Sequence, residues 1–328
     1  LAGPARAEED AADSYALRAD VAGFIHELVE RHAFDAGELR FVFSRTRRED
    51  AVLAAMRAQP RQADSWEAYR ALFVNERHVR AGLEFRRAHR KVLARARGTY
   101  GVPEEIIVAI IGIETFYGRN TGRWRVIDAL ATLAFDYPPR APFFRGELEN
   151  YLLFAREQEL DVFSVKGSYA GAIGIPQFMP GSYLRYAVDF DGDGAIDLRT
   201  NPADAIGSVA NFLARHGWER GAPVQRGARV TGEGYAALIG ADPLPRHTLE
   251  ELARAGVQMR GAPLPADTPA VLLRLESPER PADLRIGLQN FYVLTRYNRS
   301  IFYALSVAEL AEQLRAARRR ARSAPPAN

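Results

Sequence analysis

The spacing of apolar residues predicts a chain built mostly of helices. In the N-terminal third, apolar side chains recur every three or four residues, which places them on one face of a helix. Three such groups stand out: Val21 to Val29, Ala51 to Met56, and a longer arginine-laced group from Tyr69 to Val92. The arginines from 86 to 97 are interpreted as a solvated helix face, and we assign them no chemistry.

A further helix is predicted to begin near Pro103. Proline suits the first turn of a helix, and Glu104 and Glu105 after it favour the positive end of the helix dipole. The next eight residues, 106–113, carry no polar side chain, and Glu114 follows them. This helix is expected to close near Gly118.

Glu114 is the first candidate for chemistry. Ile107, Ile110 and Ile111 precede it by seven, four and three positions, so they share its helix face. Desolvation there raises the pKa of a carboxyl, and a carboxylic acid that keeps its proton can cleave an acetal such as a glycosidic bond. The alternative is a salt-bridge or capping glutamate, which is the commoner role at a helix end. The aromatic and glycine-rich segment 115–122 favours a sugar site.

The rest of the chain divides by composition. Helices are predicted over 125–135, 144–160 and 202–215, and the glycine-rich segment 164–181 is too broken for a long element. Glycine and proline become frequent from 219 to 284, where 225–230 and 271–275 resemble strands. Aromatic-rich helix is predicted again from Ile286 to Arg318.

The predicted fold class is therefore mainly α (α+β). The predicted domains are a signal remnant and flexible N-terminus (1–13), a helical domain (14–98), a catalytic core (99–218), a small α+β insertion (219–284), a return to the core (285–318) and a disordered tail (319–328).

Composition excludes several functions. The 328 residues contain no cysteine, so disulfides, cysteine–zinc sites, a thiol nucleophile and a lipid-modified N-terminal cysteine are excluded within this sequence. The net charge is +3, and almost all positive charge is arginine scattered among acids, which does not indicate a nucleic-acid site. A mildly basic protein is still drawn to a polyanion such as cell-wall material.

The N-terminus indicates export. Ala5-Arg6-Ala7 has the small-x-small form of a signal-peptidase site, so residues 1–7 are interpreted as a remnant of a signal. No apolar run of transmembrane length is present in the sequence. We therefore expect a soluble periplasmic protein, exported by a signal peptide.

The second candidate site is an acidic loop. Asp189, Asp191 and Asp193 occupy positions 1, 3 and 5 of an EF-hand pattern, and a glycine follows at position 6. Ala195, at position 7, is expected to contribute its main-chain carbonyl. Position 12 is a threonine instead of glutamate, so Asp204 is the candidate closing ligand. A structural calcium ion is predicted, with sodium as the other ion and an acidic turn without metal as the alternative.

With these features established, the chain resembles the lytic murein transglycosylase B family of cell-wall enzymes. The matching stretches are IGIET at 111–115 with Tyr117-Gly118, KGSYAGA at 166–172, QFMP at 177–180 with Ser182-Tyr183, YAVDF at 186–190, DAIGSVANF at 204–212, HGW at 216–218, and NFY at 290–292 followed by TRYN at 295–298. They follow one order over about two hundred residues.

The resemblance implies a lysozyme-like helical core that cleaves the β-1,4 bond between N-acetylmuramic acid and N-acetylglucosamine. It implies that Glu114 is the one catalytic glutamate and that 1,6-anhydro-muramyl ends are formed. It places a structural metal on Asp189, Asp191, Asp193 and Asp204, and no cofactor in catalysis. It also implies a set of substrate-binding residues: Ser168, Gln177, Tyr297, Asn298, Tyr303, Tyr117 and, for the acidic peptide stem, Arg140.

The expected partners are peptidoglycan glycan strands and not nucleic acid. Cell-wall synthesis or division proteins are left open, and a monomer is expected. Two departures from the family pattern are Pro139 before Arg140, where paired arginines are expected, and Phe212 in place of a common tyrosine. Taken singly, Ser168 and Gln177 could equally satisfy backbone groups.

Three other functions remain open at this point. A hydrolytic muramidase would leave a reducing end, one water heavier than an anhydro end. A non-catalytic peptidoglycan-binding protein would bind wall material and release nothing. A cation-stabilised scaffold would lose its fold on chelation without binding glycan.

Overall fold

The computed structural model describes residues 14–58, 65–277 and 280–323. Most of this chain is helical, as the apolar spacing predicts. The α-helices are α1 Ala19–His32, α2 Ala36–Arg45, α3 Asp50–Arg57, α4 Trp66–Phe73, α5 Glu76–Ala88, α6 Arg90–Tyr100, α7 Glu104–Thr115, α8 Val126–Asp136, α9 Ala141–Glu157, α10 Pro180–Tyr186, α11 Pro202–Arg215, α12 Leu249–Arg254, α13 Gln289–Tyr297 and α14 Ile301–Ser323.

The strands form two sheets. They are β1 Trp124–Arg125, β2 Lys166–Gly167, β3 Gln225–Val230, β4 His247–Thr248, β5 Val257–Met259, β6 Pro269–Ser277 and β7 Arg280–Gly287. β1 and β2 make a two-stranded antiparallel sheet, and the other five make a sheet in the order β4-β6-β7-β3-β5 with antiparallel neighbours.

The chain clusters into two compact units. The first comprises Leu1–Gln59, Asn120–Arg185 and Leu198–Thr200, and the second comprises Pro60–Arg119, Tyr186–Asp197 and Asn201–Asn328. The domain boundaries drawn from the sequence stay a prediction.

The first unit is organised around α8 and α9. Nine of the eleven residues of α8 are buried, so this helix is apolar on nearly every side. Beside it, the rings of Phe24, Phe43 and Phe135 pack edge to face at centroid distances of 5.8 to 6.2 Å. Such pairs add to the stability that burial alone provides.

The second unit is organised around α7. Ten of its twelve residues are buried, and α5, α6, α11 and α14 pack against it. A helix that is apolar all round must be enclosed by others, as this one is. Pro103 precedes the first helical residue as the N-cap. The helix ends at Thr115, three residues before the predicted end.

The five-stranded sheet has its own small core within the second unit. Leu252 on α12, Val257, Leu272 and Ile286 are nearly inaccessible there. The strands predicted at 225–230 and 271–275 correspond to β3 and to the middle of β6. The predicted helix from Ile286 is wrong at its start, since Ile286 belongs to β7 and pairs with Leu272. The strand signal is present in the sequence, since the apolar Ala282, Leu284 and Ile286 alternate with Asp283 and Arg285.

Two further expectations concern the ends of the chain. The tail predicted to be disordered from 319 is instead helical as far as Ser323, because alanine and arginine are strong helix formers. The signal remnant at 1–13 and residues 324–328 lie outside the described residues. Within the described residues, no helix combines the length and apolarity needed to cross a bilayer.

Candidate active site

Glu114 lies in the last turn of α7, whose end is set by an unusual backbone. Phe116 and Tyr117 both have positive φ, at 49° and 64°. Their N–H groups donate to the carbonyls of Gly112 and Ile111, at 3.0 and 3.2 Å, and so close the helix. Left-handed backbone at a residue other than glycine costs about 1–3 kcal/mol, so the surrounding contacts must hold it.

Cationic and aromatic contacts hold Phe116. The guanidinium carbons of Arg77 and Arg119 lie 4.4 and 5.1 Å from its ring centroid, and the His78 ring meets it edge-on at 5.0 Å. These contacts stabilise the turn that follows Glu114.

Tyr117, a predicted substrate-binding residue, packs against the helix instead of standing open. Its side chain belongs to the buried core, and its Oη donates to the main-chain oxygen of His78 at 2.7 Å. A Cβ on Gly82 or Gly112 would lie 2.5 or 2.6 Å from this hydroxyl oxygen. Both glycines are therefore required by the position of Tyr117, which sequence spacing does not reveal.

Glu114 is half-buried as a residue, and its carboxyl is desolvated. Desolvation raises its pKa from 4.5 to about 7, and a hydrogen bond from Tyr303 works in the opposite direction. The Tyr303 Oη donates to Glu114 Oε1 at 2.6 Å. No second carboxylate is among the described groups that shift this pKa. The site therefore holds one carboxyl that is partly protonated near neutral pH.

Aromatic side chains surround this carboxyl. The rings of Tyr297 and Tyr303 are stacked, with centroids 6.3 Å apart and an interplanar angle of 11°. Burial and then the charge of Glu114 raise the pKa of Tyr297 well above its usual value. Tyr69 responds in the same way, with a pKa of about 12. The structure thus brings Glu114, Tyr297 and Tyr303 together and adds Tyr69.

Tyr69 is the residue that the sequence analysis missed. It lies on α4, 45 positions before Glu114, and its spacing marks it only as an apolar helix residue. Its ring packs on Phe302, which precedes Tyr303 in the chain, with centroids 5.7 Å apart. No local signal in the sequence could have identified it.

The other candidates in the second unit are Asn298 and the substituted position Phe212. Asn298 is exposed and caps the end of α13, where its N–H lies 3.4 Å from the Leu294 oxygen. The ring of Phe212 packs edge-on against Tyr297, with centroids 4.9 Å apart. Phenylalanine at 212 therefore supports the Tyr297 ring without offering a hydroxyl.

Three predicted substrate-binding residues belong to the first unit. Ser168 Oγ accepts from the N–H groups of Ala170 and Ala172, at 3.2 and 3.0 Å. Gln177 has a φ of 52°, and its Nε2 donates to the Thr121 and Gly174 oxygens at 3.0 and 2.8 Å. These bonds fix the glycine-rich loop.

Arg140 is the third of these residues. It is exposed, and its guanidinium carbon lies 4.6 and 5.1 Å from the ring centroids of Phe143 and Phe144. Stacking of this kind holds the guanidinium in place while its N–H groups face outward in the plane of the group.

Two acids of the first unit that could have served as a second catalytic carboxyl are engaged elsewhere. Asp128 accepts from the Arg47 N–H at 2.9 Å and pairs with Arg125 at 2.7 Å. Asp136 accepts from Tyr15 Oη and Arg18 Nη1, both at 2.6 Å. Each carboxylate stabilises contacts with the N-terminal segment of its own unit, as expected of structural residues.

The acidic loop forms a carboxylate cluster in the second unit. Oxygens of Asp189, Asp191 and Asp204 lie within 4.8 Å of one another. Asp193 is not in this cluster, and its Oδ1 accepts from the N–H of Ala195 at 2.9 Å. The structure thus groups three of the four predicted acidic ligands.

Asp204 is the buried member of the cluster, with no exposed surface. Its two oxygens accept from the N–H groups of Phe190 and Asp197, at 2.7 and 2.9 Å. Desolvation raises the pKa of Asp204 most, and the charges of Asp191 and Asp189 add to the increase. Like charges gathered around a buried carboxylate repel one another unless a cation lies among them, so the donor set fits a hard cation.

Comparisons with known proteins agree with this fold and site. The family model described as Transglycosylase SLT domain matches residues 16–312. Membrane-bound lytic murein transglycosylase B of Escherichia coli is 42% identical over 304 residues, which cover 90% of this chain and 82% of the relative. Both matches cover the helical unit whose enclosed central helix ends near Glu114.

Solved structures give the same result. Soluble lytic transglycosylase SltB1 from Pseudomonas aeruginosa matches with a TM-score of 0.86 and 44% identity, covering 91% of this chain and 99% of that one. Escherichia coli lytic transglycosylase Slt35, solved in complex with calcium, matches with a TM-score of 0.84 and 42% identity, covering 93% and 95%. SltB3 from P. aeruginosa, solved with NAG-anhNAM-pentapeptide, matches with a TM-score of 0.78 and 31% identity, covering 90% and 78%.

This chain belongs to the Transglycosylase SLT family, and it is an enzyme of the lytic transglycosylase class. The family, the lysozyme-like fold and the class of enzyme that the sequence motifs predict are thereby confirmed.

Proposed function

We propose that this protein cleaves the β-1,4 bond between N-acetylmuramic acid and N-acetylglucosamine in peptidoglycan and forms a 1,6-anhydro-muramyl end. The observation that carries the proposal is the single desolvated carboxyl of Glu114, with a pKa of about 7, bonded to Tyr303. The complex of the relative SltB3 with an anhydromuramyl ligand supports the same product.

In the first step, protonated Glu114 donates to the bridging oxygen while the C1–O bond breaks toward an oxocarbenium-like state. In the second step, the Glu114 carboxylate takes the proton of the muramyl C6 hydroxyl as that oxygen attacks C1. The ring closes and Glu114 regains its proton. Because the nucleophile is part of the substrate, proximity supplies much of the rate.

Tyr303 is proposed to stabilise the carboxylate between the two steps, since its hydroxyl donates to the oxygen that alternately loses and gains charge. Tyr297 and Asn298 are proposed to contact sugar beside it, and Tyr117 to position the end of α7. In the first unit, Ser168 and Gln177 are proposed to contact glycan, and Arg140 is proposed to contact the acidic stem peptide. The family resemblance implies substrate binding for all seven residues, and the different roles given to Tyr303 and Tyr117 are proposed from their hydrogen bonds.

The acidic loop is proposed to hold a structural calcium ion. Asp189, Asp191 and Asp204 supply the clustered oxygens, and the Ala195 carbonyl and Asp193 are the further candidates from the EF-hand pattern. The calcium complex of the relative Slt35 supports this choice of ion over sodium. Calcium plays no part in the two proton transfers.

Since peptidoglycan lies outside the cytoplasmic membrane, we place the working protein in the periplasm. Glycan strands are its proposed partners. A hydrolytic muramidase is the second candidate only if a further carboxyl is found to act with Glu114.

The proposal is tested by release of soluble fragments from purified peptidoglycan. Glu114→Gln should abolish release while the variant still sediments with the insoluble wall. Glu27→Gln, an exposed acid on α1, is the matched control and should release fragments at the wild-type rate. Full turnover by Glu114→Gln would refute the assignment.

A further inference from the structure

A cavity of about 270 Å³ lies within the second unit at the start of α7, eleven residues before Glu114. At 1.5 Å per residue, this end of the helix is about 16 Å from the catalytic carboxyl. Its apolar walls are Pro103 and Ile106 of α7, Ala308 and Ala311 of α14, and the segment that follows α11. None of these residues has a role in the proposed reaction.

A buried asparagine fixes the loop that forms one wall of this cavity. Asn290 has no exposed surface, and its Oδ1 accepts from the Glu219 N–H at 2.8 Å. Its Nδ2 donates to the Glu219 and Ala222 oxygens, both at 2.9 Å. The cavity is therefore formed in advance, which lowers the entropy lost when a ligand binds.

The cavity also presents polar groups that lack partners. Trp218 lines it and is only 8% exposed, and its indole Nε1 has no hydrogen-bond partner among the described residues. Arg226 lines it too, and its Nε is likewise buried without a partner there. Native proteins satisfy nearly all buried donors. Both nitrogens are covered by neighbouring atoms, so an acceptor in the cavity would engage them after a small shift of a lining side chain.

Positive charge surrounds the opening. Arg315 lines both this cavity and an adjoining one of about 640 Å³. It makes no ion pair in the part of the chain that the structure describes. Across the two described linings, six arginines face two glutamates, Glu312 and Glu105, and Glu105 already pairs with Arg318 at 2.7 Å. The surplus favours an anion. Arg315 interacts electrostatically with Glu312 of the same lining but forms no ion pair with it, so its guanidinium can still pair with a bound anion.

We propose that this cavity binds a short peptide of small side chains that ends in a carboxylate. Arg315 pairs with the carboxylate, Trp218 donates its indole N–H to a peptide carbonyl, and the alanine, proline and isoleucine walls contact methyl groups. The volume is at the lower end for ligand pockets, which suits two or three small residues. The identification of the natural ligand as a peptidoglycan stem peptide rests on the proposed function. The binding of a small peptide carboxylate by this cavity does not depend on that function.

Calorimetric titration of the full chain tests the proposal. The probe is N-acetyl-D-alanyl-D-alanine, whose D configuration resists peptidases, and its C-terminal amide is the control ligand without the carboxylate. We expect saturable binding of the acid, and at least about tenfold weaker binding of the amide, because charge-assisted hydrogen bonds are the strong ones.

The variants separate the contacts. Arg315→Gln and Trp218→Phe should each weaken binding of the acid, the former at least about tenfold. Arg320→Gln removes the same charge from α14 outside both linings and should bind as the wild type does. Thermal unfolding without ligand checks that each variant is folded.

Equal affinity for acid and amide, equal effects of Arg315→Gln and Arg320→Gln, or no saturable binding would each overturn the proposal. Fragment release from peptidoglycan is measured on the same samples. If the wild type releases fragments but does not bind the peptide, only this inference is refuted. If the wild type releases no fragments, the proposed function is refuted.

Discussion

The Tyr303 Oη lies 2.6 Å from Glu114 Oε1 and donates a hydrogen bond to it. The two residues are 189 positions apart, and one lies on α7 while the other lies on α14. Desolvation and this bond act in opposite directions on the pKa of Glu114, and desolvation prevails. The proposed reaction therefore requires that Glu114 can change its protonation state near neutral pH.

Tyr303→Phe should raise the pKa of Glu114 above about 7, because the bond that favours its charged form is lost. A hydrogen bond to a charged group contributes about 1.5–3 kcal/mol, so the shift should be about one to two pH units. The measurement is the pH profile of fragment release, whose alkaline limb follows the acid form of Glu114. Tyr292→Phe on α13 is the control, and an unmoved limb in Tyr303→Phe would contradict this role.

Glu114→Gln should change stability in a pH-dependent way. The folded-state pKa of Glu114 is raised, so its ionisation destabilises the native protein as pH increases from 4.5 to about 7. Below that range both states are protonated and the variant should match the wild type. Near pH 8 the variant should be more stable by about 1–3 kcal/mol. Denaturant unfolding at both pH values measures this, and the same difference at each pH would count against a desolvated carboxyl.

Gly112→Ala should reduce both stability and turnover. The new Cβ would lie 2.6 Å from the Tyr117 hydroxyl oxygen, so the end of α7 must shift, at a cost of about 1–3 kcal/mol. Gly98→Ala is the matched control, since nothing lies within 4 Å of its added carbon. That variant should be unchanged or slightly stabilised. Thermal unfolding and fragment release measure both effects, and equal behaviour of the two variants would contradict the packing argument.

Asp189→Asn should remove most of the stability gained from calcium. The wild type should unfold at a higher temperature with calcium than with chelator, because an ion that binds only the native state stabilises it. The variant should show little difference between the two conditions. Asp267→Asn, an exposed acid elsewhere, should keep the full calcium effect. An equal calcium effect in Asp189→Asn would exclude the proposed site.

The features that the sequence predicted are those set by residues close together in the chain. Pro103 with the two glutamates after it predicted the start of a helix, and the apolar run 106–113 that follows led directly to Glu114. The Asp-x-Asp-x-Asp-Gly order likewise led to the acidic cluster. The family stretches then indicated the fold and the class of enzyme, both of which the comparisons confirm.

The parts that escaped prediction depend on contacts between distant segments. Tyr69 approaches Glu114 only because α4 packs near the residues that precede Tyr303. Asp193 fits the loop pattern, yet the folded loop places Asp189, Asp191 and Asp204 together without it. β7 is a different case, because Ala282, Leu284 and Ile286 do alternate with Asp283 and Arg285 and the strand signal was overlooked. The positions of Tyr69 and Asp193 have no sequence period.

Glu114 is proposed to act first as acid and then as base while the muramyl C6 hydroxyl attacks C1. Mass spectrometry of the fragments released from purified sacculi distinguishes this reaction from hydrolysis. Disaccharide-peptides with anhydro-muramyl ends are expected, each one water lighter than the corresponding reducing product. Fragments that carry only reducing ends, formed by the wild type and absent with Glu114→Gln, would show hydrolysis and refute the proposed reaction.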